Sequence, residues 1–137
     1  MPNGLRNALA IVAGIVSGSI VNMLLVYVGS KAIPAPEGVD PMDAESLRAN
    51  IHLFEPKHFV FPFLAHALGT LDGAMIAGLL AKPRGGWPAL AIGAWFLLGG
   101  IVVAFVVPAP PWFIVLDLVA AYLPMAWLGS RLARLRA

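Results

Sequence analysis

With 137 residues, 60% of them hydrophobic and only 12% charged, the chain is too apolar for a soluble domain, which usually carries about twice that share of charge. A net charge of +2 with no cysteine excludes disulfides, thiolate metal sites and cysteine nucleophiles. No basic groove or run of stacking aromatics points to nucleic acid.

Four apolar runs account for most of the length: residues 8–28, 59–81, 87–107 and 112–130. Each is close to the roughly 20 residues that a helix needs to cross a bilayer. The expected fold is therefore all-α, one four-span membrane domain over residues 1–137. The first run is about twice too long for the apolar core of a signal peptide and reads as a retained helix.

Span one carries Ala10, Gly14, Gly18 and Asn22 at four-residue spacing, and span two carries Ala65, Gly69, Gly73 and Ala77 likewise. Small residues four apart form a flat stripe on which another helix can approach closely. Gly14, Gly18, Gly69 and Gly73 are thus the expected packing positions, whether within one chain or between two.

Between these spans lies the longest polar segment, residues 30–58. Asp40 followed by Pro41, with Asp43 and Glu45 just beyond, has the order of a helix start. A short helix over residues 41–53 is expected on the outer surface, with Met42, Leu47, Ile51 and Phe54 as its apolar side. His52, Glu55 and His58 follow at three-residue steps and are weak candidates for a metal, since Pro56 interrupts any helix there. Pro62 is expected to bend span two early. Cofactors are not called for by any other pattern.

Span three has no polar side chain and is expected to be the most lipid-exposed. Trp95, near its middle, is best explained by packing. Span four is expected to kink or loosen at Pro124. Tyr27 and Trp112 suit one membrane boundary, and Trp87 and Trp127 the other.

Four polar residues inside the spans need a reason: Asn22, His66, Asp72 and Asp117. A carboxylate at mid-helix costs roughly 2.5–3.5 kcal/mol on insertion scales and needs a partner. By the helical rise, Asn22, His66 and Asp117 fall within roughly 7–11 Å of the same boundary. Three helices thus bring polar groups to one level, and a His–Asp pair there shares a proton well. Asp72 is deeper, at about 20 Å, and about 120° away from His66 around the helix. It is the second buried acid.

No GxSxG, HExxH or phosphate-binding glycine loop occurs, so catalytic residues are not assigned. The first expected function is assembly with itself or with another membrane protein, as an oligomer or accessory subunit. The alternatives are a proton- or ion-coupled small transporter and a membrane-embedded enzyme on a lipid-like substrate. Arg6, Lys82, Arg84, Arg131, Arg134 and Arg136 fall on one side of alternating spans. Lys31, Arg48 and Lys57 fall on the other, diluted by acids. The positive-inside rule then places both termini in the cytoplasm of a bacterial-type inner membrane. Reporter fusions at Ala137 and within residues 39–45 should give opposite signals; matching signals would refute four spans.

Overall fold

The computed structural model describes residues 1–136 and is all-helical, with no strand among them. In chain order the helices are α1 (Asn3–Ala32), α2 (Ala44–Asn50), α3 (Val60–Leu80), α4 (Trp87–Val106), α5 (Pro111–Ala120) and α6 (Leu123–Leu135). Helices α1, α3 and α4, together with the broken pair α5–α6, are long and apolar enough to cross a membrane four times. The molecule is a multi-pass membrane protein. One end of the bundle carries both termini and the 82–86 turn, and the other carries the loop over residues 33–59.

Helix α3 lies at the centre, touching α1, α4 and α6. Its small residues explain why. On the α1 side, a methyl group added to Gly14 would lie 2.5 Å from the carbonyl oxygen of Gly73, and one on Gly18 would lie 2.5 Å from that of Gly69. The approach is reciprocal, so the two backbones touch where any side chain would separate them. On the α6 side, Gly129 lies against Leu71 and Ala74, and Gly78 against Ala133. Helix α4 joins this core through Ala89, Ile92 and Gly93, with Gly93 against Ala126.

Helices α1 and α4 are the two most exposed spans. Only 17% of the most apolar stretch of α1 is buried, against 22% for α4. Helix α1 sits at the edge and packs chiefly on α3. Helix α4 lacks polar groups but uses its small residues to touch both α3 and α6. Trp95 is 56% exposed and so is not a packing residue. Pro62 falls in the first turn of α3. The 3-10 turn Pro56–Phe59 runs directly into α3, so Pro62 lies six residues into a continuous helical stretch and lacks the N–H that would pair with that turn.

The loop helix is shorter than expected. Asp43, not Asp40, caps α2, accepting from the backbone N–H groups of Glu45 (3.2 Å) and Ser46 (3.1 Å). Asp40 instead accepts from Met42 N–H in a turn, and this keeps Pro41 out of the helix. A 3-10 turn, Ile51–Leu53, continues α2. Leu47 is buried beneath it, whereas Met42 is 89% exposed and leaves the apolar side. A second 3-10 turn, Pro56–Phe59, leads into α3.

Polar clasps close the terminal end. The Asn7 amide donates to Lys82 O (3.0 Å) and accepts from Lys82 N–H (2.8 Å), while Arg6 donates to Leu80 O (2.7 Å). Gly85 takes a positive φ of 68°, a conformation that favours glycine. Its carbonyl accepts from the Ser130 hydroxyl of α6.

Gly14→Leu, Gly18→Leu, Gly69→Leu and Gly73→Leu should each lower stability by about 2–3 kcal/mol or more, because the obstruction is backbone that cannot yield. Gly99 has nothing within 4 Å of an added methyl group, so Gly99→Leu should leave the unfolding temperature in detergent nearly unchanged. Equal losses at all five positions would refute this packing.

Candidate functional site

The site begins with a break in a helix. A continuous span over residues 112–130 would place Asp117 and Tyr122 about 140° apart, at 100° per residue. Instead α5 stops at Ala120 and α6 starts at Leu123. Pro124 lies in the first turn of α6. It lacks an N–H to continue the ladder from Ala120, and its ring crowds that carbonyl. The chain therefore breaks upstream of the proline rather than bending at it. The break turns the Tyr122 side chain back along α5, and its hydroxyl donates to Asp117 Oδ2 at 3.0 Å.

Asp117 has a second partner from α3. His66 Nδ1 lies 2.8 Å from Oδ1 and 2.9 Å from Oδ2 of the carboxylate. The carboxylate accepts, so the proton belongs on Nδ1 and Nε2 is left to take or give another. The imidazole also stacks on the Tyr122 ring, with centroids 5.7 Å apart. The Asp117 side chain is 7% exposed and that of His66 24%. The acid is thus sealed, and the base is the member of the pair that meets open space.

That space is a cavity of about 450 Å³ reaching from the loop end down to His66 and Asp117. Its walls are almost wholly apolar. They come from the last turns of α1, the first turns of α3, the end of α4 and the face of α5 that carries Phe113. Leu47, Ile51 and Phe54 of the loop lie over it, with Lys57 and His58 at its rim. Phe59 packs against Phe113 (4.8 Å between centroids) and Trp112 (5.6 Å), bracing this wall.

Below this cavity, towards mid-membrane, a smaller one of about 150 Å³ shares His66, Gly100 and Val103 with it. Asn22 lines this lower cavity rather than joining the His66–Asp117 pair. The three residues share a depth, but the amide forms no hydrogen bond to either partner. Tyr122 is the third member instead. The sequence does hold a signal for it: a tyrosine in mid-span, two residues before a proline, where aromatic side chains have no boundary to sit at.

Asp72 occupies a separate place. It is half-buried at the α1–α3 seam and accepts from the Ser17 hydroxyl at 2.5 Å. His52, Glu55 and His58 do not form a metal site; no group of three or more potential metal ligands is clustered among the described residues. Pro56 starts a new turn in which the His58 ring accepts from Glu55 N–H (2.8 Å), and Glu55 pairs with Lys57 (3.2 Å). Glu55 and His58 are occupied in capping the entry to α3.

No known family model matches the sequence, and no curated protein or solved structure matches it either.

The buried acid sets an order of stability effects. Tyr122→Phe removes one hydrogen bond to a carboxylate and should lower stability by about 1.5–3 kcal/mol. Asp117→Ala strands two polar side chains and should lower it further, whereas Asn22→Ala should have little effect. Thermal unfolding in mild detergent measures all three. A larger loss at Asn22 than at Tyr122 would overturn this assignment.

Proposed function

We propose that the protein is a small proton-coupled carrier of a lipid-like molecule, held in a bacterial-type inner membrane with both termini cytoplasmic. One observation carries the reading: the His66–Asp117 pair closes the floor of an apolar cavity large enough for a small ligand. The charge asymmetry of the termini and the 82–86 turn supports the orientation.

The cavity chemistry defines the ligand class. Apolar walls accept a hydrocarbon body, and only the floor and the rim offer polar contacts. A ligand with one hydrogen-bonding head placed at His66 satisfies both. A hydroxyl head that donates to Nε2 would compete with a proton there, and a carbonyl head that accepts would favour one, so binding and protonation are linked either way. Asp117 and Tyr122 hold the ring in position through either event. An enzymatic role has less support, because among the described residues the floor offers a base but no adjacent nucleophile or metal site.

Assembly draws its support from elsewhere. Gly14, Gly18, Gly69 and Gly73 are engaged with one another within the chain, so these stripes do not argue for a second subunit. Asp72, half-buried with Ser17 as its partner, is the position at which a neighbouring membrane protein would supply further contacts.

Farnesol and decyl-ubiquinone have an apolar body, a polar head and no titratable group. Any proton exchanged when they bind therefore comes from the protein. At least one should raise the unfolding temperature of the purified protein and move protons in weakly buffered detergent, read with a pH dye. Ala104→Phe should abolish binding by filling the cavity. Asp117→Asn should abolish the proton exchange. Binding of neither probe, or binding without proton exchange in the native protein, would refute the reading.

A further inference from the structure

The lower cavity has chemistry that the carrier reading leaves unused. It lies between α1, α3 and α4, at the level of Gly18–Asn22 and Ala65–Thr70. Its lining includes Ser19, Asn22, His66, Thr70 and Tyr122, a polar set for a site near mid-membrane. Thr70 is the informative member. It is 1% exposed, and its hydroxyl is the buried side-chain group without a hydrogen-bond partner among the described residues.

A buried hydroxyl in an apolar medium is strongly disfavoured without a partner. Threonine in a helix can usually satisfy itself by bonding to the carbonyl one turn back. Here that carbonyl belongs to His66, and the bond is not made. Thr70 and His66, four residues apart, lie on the same face of α3 and both line this space.

We propose that this cavity is a hydration site within the membrane core, holding water between Thr70, Asn22, Ser19 and His66. Its volume of about 150 Å³ is ample for a small cluster, since liquid water takes about 30 Å³ per molecule. Polar groups from two helices supply the two to four partners that a bound water requires. A turn of the Thr70 side chain towards this space lets its hydroxyl bond to the water and so removes the orphan.

The placement gives His66 two different neighbours. Towards the loop end it meets the apolar cavity, and towards mid-membrane it meets water. Water on one side and ligand on the other lets the ring take or release a proton without waiting for the apolar cavity to empty. Beyond the water the path stops at Phe96, and then at the sealed core of Ile92, Ala77 and the glycine seam. Asp72 and Ser17 lie across that seam and are not part of it. The arrangement is a polar recess, half open at the surface of the bundle near Gly99, and not a channel through the membrane. The proton-exchange role rests on the carrier reading; the presence of water does not.

Thr70 is the sole threonine in the chain, so threonine-selective carbon-13 labelling reports this site alone. The full protein is reconstituted in phosphatidylcholine bilayers and examined by water-edited solid-state NMR, with labelled leucine as the lipid-facing reference. Magnetisation from water should reach the Thr70 side chain several-fold faster than the bulk leucine methyls. Asn22→Leu, which replaces an amide by hydrocarbon in the wall, should slow the Thr70 transfer several-fold while the protein still unfolds cooperatively. Transfer to native Thr70 no faster than to leucine would overturn the proposal, and the native sample decides this whether or not the variant folds. Fast transfer that Asn22→Leu leaves unchanged in a folded protein would overturn the placement of the water against Asn22. Water at Thr70 together with no proton exchange on ligand binding would leave the site standing and remove its role in the carrier.

Discussion

Direct backbone contact along α3 is the constraint on which the rest of this bundle depends. In a bilayer there is no water to drive apolar helices together, so their association relies on close packing and on the few polar bonds between them. Gly69 and Gly73 receive α1, Ala74 and Gly78 receive α6, and Ala77 contributes to the contact with α4. One helix with small residues on three sides can be central; one with leucines there cannot. The polar clasps at Asn7 and Gly85 then close the terminal end. That compact packing contrasts with the loop end, where the helices diverge around an apolar cavity.

The contrast explains where the chemistry sits. A carboxylate in a membrane interior needs partners, and Asp117 receives them from two different elements: an imidazole on α3 and a phenol at the break between α5 and α6. The same break that frees Tyr122 from the helical face keeps α5 separate from α6 and available to wall the cavity. Structural and functional roles are joined here. The pair holds α3 to α5, and it also supplies the polar group at the bottom of an otherwise apolar space. Asp72 has a single hydroxyl partner and lies at the edge of a seam, so the two intramembrane acids have different environments despite their similar chemistry.

Much of this was legible in the residues. Run lengths predict four spans because bilayer thickness sets helix length. Glycine spacing marks the faces of α1 and α3 because a helix repeats every 3.6 residues. Depth alone brings His66 and Asp117 to one level, but depth carries no angular information between helices, so it does not separate them from Asn22, which lines a different cavity. Loop details were less legible. Asp40 and Asp43 are both capable caps, and the hydroxyl of Ser46, bonded to Asp40 N–H, belongs to an arrangement that no spacing rule contains.

What the sequence by itself determined is local and one-dimensional: the spans, their order, the small-residue faces and the depth of each polar group. These follow from helical periodicity and from the thickness of the bilayer. Only the tertiary structure decided which faces meet. It put α3 at the centre, placed Tyr122 rather than Asn22 on Asp117, and left the Thr70 hydroxyl without a protein partner beside a polar recess. Each of these depends on rotation about a helix axis and on the break upstream of Pro124. Those variables are set by the packing of all the helices together, not by any one of them.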